Sequence, residues 1–103
     1  MTKVIDIAKD FSRYPAGRYL DDGPFNGQLF RDSFLVPALN SGEGVEICFD
    51  GARGYGSSFL EEAFGGLCRA GYKKEKIEDV FDFKSSDPSL VLEVKEYINN
   101  ACS

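Results

Sequence analysis

The alternation of apolar and polar positions along the chain predicts strands and helices in turn. Residues 3–7, Lys-Val-Ile-Asp-Ile, read as a short strand rich in β-branched side chains. A turn-rich stretch follows, FSRYPAGRYLDDGPFNG, with Pro15, Gly17, Gly23, Pro24 and Gly27 and an extended piece near residues 18–20. Its aromatics Phe11, Tyr14, Tyr19 and Phe25 predict a loop that packs down on the core. Asn26 is a good N-cap, and Leu29, Phe30, Phe34 and Val36 give the helix after it an apolar face. Pro37 disfavours the helical state at Val36, so that helix is expected to kink or end there.

Asn40-Ser41-Gly42-Glu43-Gly44 is a turn, and residues 45–49, VEICF, alternate as a strand with at least one buried face. The segment from Asp50 to Ser58 joins that strand to an amphipathic helix in which Phe59, Leu60, Ala63, Phe64, Leu67 and Cys68 recur at helical spacing. Gly71 is its expected C-terminal cap. Residues 76–84, KIEDVFDFK, read as a further strand. The last helix is signalled by Asp87 as N-cap, Pro88 at its first position, and a face of Leu90, Val91, Val94, Tyr97, Ile98 and Ala101. The order is that of an α/β domain spanning residues 1–103, with a small mixed sheet of about four strands and helices packed mainly on one face.

Composition narrows the function. With 43% hydrophobic residues, nine Phe and five Tyr, the chain has material for a packed core. A net charge of −5, from 12 basic and 17 acidic residues, argues against nucleic-acid binding. The lysines at 73, 74 and 76 are interrupted by Glu75 and read as a solvated loop. The three cysteines, Cys48, Cys68 and Cys102, are odd in number and form no CxxC pair. No disulfide framework is therefore expected, and a reducing, cytoplasmic setting follows. The first fifteen residues lack the apolar run of a signal peptide, and no stretch has the roughly 20 apolar residues of a membrane span. Histidine is absent, which removes the commonest general base and metal ligand. No catalytic residue, cofactor or metal site is expected.

The stretch from Asp50 to Phe59 admits four constructions. Its glycines permit a tight turn, and Ser57 or Ser58 would cap the helix through its hydroxyl. A phosphorylatable serine is the second: a phosphate here would sit at the positive end of the helix. A nucleotide loop is the third, but Gly51, Gly54 and Gly56 have the wrong spacing for GxGxxG and no Lys-Ser/Thr follows. A nucleophilic serine elbow, without histidine or GxSxG, is weaker still. Elsewhere, Arg18 and Arg53 read as local ion pairs in loops, and Asp21-Asp22-Gly23 as a solvated turn. Glu61 and Glu62 read as partners of the helix dipole.

The segment VEICFDGARGYGSSFLEEAFGGL resembles the strand–loop–helix of STAS domains, the family of bacterial anti-sigma factor antagonists. There a strand ending in Asp precedes an Asp-Ser-Ser-Gly-Leu motif that opens a helix. Asp50, Ser57, Ser58 and Leu60 match, while Gly56 replaces the motif's aspartate and Phe59 its glycine. The stretches FSRYPAGRYLDDGPFNGQLFRD and GYGSSFLEEAFGGL extend the resemblance to a bacterial group of STAS-like proteins, over nearly the whole chain. The resemblance implies a STAS-like fold, Ser58 as phosphoacceptor, and a histidine-kinase-like ATPase or serine kinase as partner. The expected role is a non-enzymatic regulatory module. Its partner surface comprises Arg53, Tyr55, Gly56, Ser57, Ser58 and Glu61. The alternative is a small-ligand or nucleotide sensor that uses the same helix start as an anion site. The aromatic segment 11–25 also leaves room for a subunit interface.

Overall fold

The computed structural model describes residues 3–102. Three strands, β1 (Lys3–Asp6), β2 (Val45–Cys48) and β3 (Phe81–Lys84), form one sheet in the order β1-β2-β3. Both pairs are parallel, with Ile5 opposite Ile47 and Ile47 opposite Phe83. The Phe49 amide extends the ladder by donating to the Lys84 carbonyl at 2.9 Å. The expected mixed sheet of about four strands is thus corrected to three parallel strands. Two segments account for the difference. Residues 18–20 do not pair; the chain there turns into a short 3₁₀ helix, Leu20–Asp22, whose Asp22 carboxylate accepts from the Arg18 and Tyr19 amides. Residues 76–80, read as the start of a strand, are helical, because Ile77 and Val80 are buried three positions apart.

Parallel neighbours need crossovers, and helices supply them. α1 covers residues 27–41, α2 residues 57–69, α3 is Lys74–Val80, and α4 is Pro88–Ala101. Strand order follows chain order, so right-handed crossovers carry α1 and α2 to the same side of the sheet. The burial pattern agrees. Ile5, Val45, Ile47 and Phe81 face the core, while Val4, Asp82 and Lys84 on the other face are exposed, and Glu46 and Cys48 are half-buried. A parallel sheet open on one face is uncommon, and polar residues at alternate positions let water cover it.

The helices α1 and α2 each have one wide turn, and Ile7–Phe11 forms another after β1. In α1 the Val36 amide donates five residues back, to the Arg31 carbonyl, and in α2 the Gly66 amide reaches the Glu61 carbonyl in the same way. Of the kink or end expected at Pro37, the helix shows no end, only this irregular turn just before the proline. The ladder is already loosened by the wide turn, so a residue without an N–H continues the helix to Ser41. The core is mostly aliphatic, with a cluster of aromatic rings around Phe30. The Phe30 ring lies 5.0 Å from Phe11, 5.4 Å from Phe34, 5.8 Å from Phe59 and 6.4 Å from Phe64. Gly27 opens α1 where a Cβ would stand 2.6 Å from the Phe59 carbonyl oxygen, so the two helix starts meet backbone to backbone.

The expectation of free thiols throughout is also corrected. Cys68 of α2 is disulfide-bonded to Cys102, the C-cap residue of α4, with a Cα separation of 5.2 Å; Cys48 is free. Sequence spacing gave no hint of it, because the two residues meet only once α4 packs along α2. No helix among the described residues is long and apolar enough to cross a membrane. Since Phe30 is fully buried among four rings, Phe30→Ala should cost about 3–5 kcal/mol in a denaturant melt. A loss under about 1 kcal/mol would show that this ring cluster is not the core.

Candidate functional site

The loop between β2 and α2 is pinned at three points. Asp50 accepts from the Ser86 amide at 2.9 Å and its hydroxyl at 3.0 Å, which ties the loop to the turn before α4. The Arg53 amide donates to the Arg13 carbonyl at 2.8 Å. The Tyr55 hydroxyl donates to the Phe49 carbonyl at 2.6 Å, and its ring meets Phe49 edge-on. Burial pushes the Tyr55 phenol above its ordinary range, so it stays a neutral donor. Gly51 turns the chain with φ of +97°.

The helix then begins without a side-chain cap. Gly56 is the N-cap, so the expected capping by Ser57 or Ser58 is corrected: they are the first two helical residues. Both serines are exposed, and among the described residues neither hydroxyl has a partner. The amides of Ser57, Ser58 and Phe59 precede the first intrahelical bond, which Leu60 donates to Gly56 at 3.1 Å. Two nucleophilic hydroxyls therefore stand at the positive end of a helix. The exposed guanidinium groups of Arg13 and Arg53, also unpartnered among the described residues, belong to the segments joined at the Arg13–Arg53 backbone bond.

One turn into α2 lies an ion cluster that the sequence reading did not find. Glu62 is buried, with 6% of its surface exposed. Its Oε2 accepts from Arg31 Nη1 at 2.5 Å, and its Oε1 from Arg18 Nη1 and Arg69 Nη2, each at 3.2 Å. Glu61 takes Arg69 in a fork, at 2.7 and 2.9 Å, and Arg18 Nη1 at 2.5 Å. The wide turn at 61–65 is where both carboxylates come to share Arg18 and Arg69. They are ion-pair centres rather than dipole partners alone. The Arg69 and Arg18 bonds hold the Glu61 carboxyl at about 2, against partial burial that opposes them. Glu61, expected to face a partner, is thereby engaged within the chain.

The cluster also fixes the loop before α1. Arg18 carries that loop onto α2, and Phe11 stacks obliquely on Phe59 at 6.1 Å. Of the aromatics expected to pack down, Phe11 packs against the core, but Tyr14, Tyr19 and Phe25, with Leu20, stay 39–63% exposed. Three clefts of about 300–390 Å³ are lined by other parts of the surface. Among the described residues no group of side chains could hold a metal ion.

The family described as a STAS-like domain of unknown function (DUF4325) matches residues 26–90, from the N-cap of α1 into the start of α4. The chain belongs to this family. The matched part of the STAS-like domain holds both serines, Arg53, and the Arg31, Glu61, Glu62 and Arg69 members of the cluster. No curated protein and no solved structure matches the chain.

Two outcomes check the cluster. Glu62→Ala removes the buried carboxylate from the largely buried Arg31 guanidinium and leaves it only the exposed Asp32 and a backbone carbonyl, so stability should fall by about 3 kcal/mol, with faster tryptic cleavage at Arg13 and Arg18. A loss below about 1 kcal/mol would mean that the cluster does not hold the loop. Glu61 has a folded-state pKa below its unfolded one, so its contribution is complete above about pH 4.5 and fades as pH drops toward about 2. The acid slope of stability in that window should therefore flatten in Glu61→Gln, and an unchanged slope would contradict the assignment.

Proposed function

We propose that this STAS-like domain is a non-catalytic regulatory module that docks on a protein partner, with the start of α2 as the centre of the contact. The observation that carries this reading is the pair of exposed, unpartnered hydroxyls of Ser57 and Ser58 on a rigidly held helix start. A structural cap would engage at least one of them, and neither is engaged. The surroundings fit a protein partner: exposed tyrosines and a phenylalanine supply contact area, and Arg13 and Arg53 supply charge for an acidic group. Gly56 lets a partner approach the backbone closely.

The partner class is a histidine-kinase-like ATPase or serine kinase in the cytoplasm, by analogy with anti-sigma factor antagonists. Ser58 is the phosphoacceptor. Its phosphate adds about −1.5 to −2 charges at the free amides of the helix start and switches docking off.

The test captures partners from native cytosol with the wild-type chain and with Ser57→Ala/Ser58→Ala, and maps phosphate on the bait. An ATPase or kinase should be retained by wild type and lost or altered with the double variant. In purified form, Ser58→Asp should bind it at least about tenfold more weakly than Ser58→Ala, about 1.4 kcal/mol. Equal binding by the two would remove the switch. A well-folded bait that retains no such partner would remove the docking reading.

A further inference from the structure

On the side of the molecule where α4 ends, the Cys68–Cys102 bond forms part of the wall of a cleft of about 350 Å³. Both cysteines are half-buried, so the bond is reachable from solvent. Lys73 and Lys74 line the same cleft, with Glu75 as its one acidic group among the described residues. Lys73 has no partner among the described residues, and Lys74 makes a loose 3.9 Å contact with Glu78. Cys102 caps the last helix, while Cys68 lies within α2 with its sulfur 3.8 Å from the Ile98 carbonyl oxygen. Both cysteines pack against the core: Cys102 is held through its amide, which donates to the Ile98 carbonyl at 2.9 Å, and Cys68 has the same carbonyl within reach of its thiol.

We propose that this cleft is a thiol–disulfide exchange site for a low-molecular-weight thiol that carries carboxylates, and that exchange there unties α4 from α2. The thiolate of the small molecule attacks the Cys102 sulfur. The Cys68–Cys102 bond breaks, its electron pair leaves on Cys68, and that thiolate then takes a proton from water. The small molecule stays on Cys102 as a mixed disulfide. A second thiolate attacks the small molecule's sulfur and releases Cys102, so two thiols are oxidised as the protein disulfide is reduced. The two ammonium groups attract the anionic thiol and favour the departing thiolate. This inference does not rest on the serine surface, which lies at the other end of α2.

Glutathione is the probe. The purified full chain is equilibrated with reduced and oxidised glutathione, quenched in acid, and followed by intact mass and peptide mapping, which separates Cys102 from Cys48. The bridged form should convert reversibly to the dithiol. In Cys68→Ser, with no resolving thiol, glutathione should accumulate on Cys102. Lys73→Glu/Lys74→Glu, a surface change that leaves the bond in place, should slow exchange with glutathione by about tenfold and with uncharged 2-mercaptoethanol by less than about twofold. Equal slowing with both thiols would overturn the lysine role. A wild-type chain that stays a dithiol in oxidised glutathione, or a bridge that glutathione does not open, would overturn the site.

Discussion

Two neighbouring carboxylates facing three guanidinium groups set the arrangement of everything around the serine pair. Glu62 is buried, and a buried carboxylate is tolerated only where charge and hydrogen bonds compensate it. Arg31 comes from α1, Arg18 from the loop before it, and Arg69 from the far end of α2 itself. Satisfying one side chain thus fixes three segments at once. Glu62 and Arg31 are the members water reaches least, so removing either one is the change that leaves a charge poorly compensated.

The wide turns belong to the same logic. An ordinary α-helix points adjacent residues about 100° apart, and that spacing argues against Glu61 and Glu62 sharing partners. The extra residue in the turn at 61–65 accompanies a geometry in which they do share Arg18 and Arg69. In α1 the equivalent turn carries Arg31 and precedes Pro37. The wide turns of α1 and α2 therefore sit where the chain supplies members of the cluster, whereas a third, at Ile7–Phe11, supplies none.

What the sequence revealed followed local rules. The strands at 3–7 and 45–49, the N-caps Asn26 and Asp87, and the apolar face of α2 were legible because period and capping chemistry are local. The loop from Asp50 to Ser58 was legible as a site because glycine and serine cluster between two strongly apolar elements. Two features escaped for a shared reason: they depend on residues far apart in the chain. Arg18 and Glu61 are 43 positions apart, and Cys68 and Cys102 are 34 apart. The helical start of residues 76–84 escaped differently, since Ile77, Val80 and Phe81 satisfy a helical spacing and Phe81 and Phe83 an alternating one. Burial against α1 decided for helix up to Val80.

The chain belongs to the STAS-like family, and its two serines carry hydroxyls that have no partner among the described residues. The central claim is that the cluster exists to present this surface, made of the start of α2 and the loop that Arg18 clamps beside it. The most direct test is amide hydrogen exchange on the chain, alone and bound to the ATPase or kinase that we propose as its partner. The account predicts new protection at residues 13–25 and 51–60. Protection confined to β1 and β3, beneath the open face of the sheet, would contradict it.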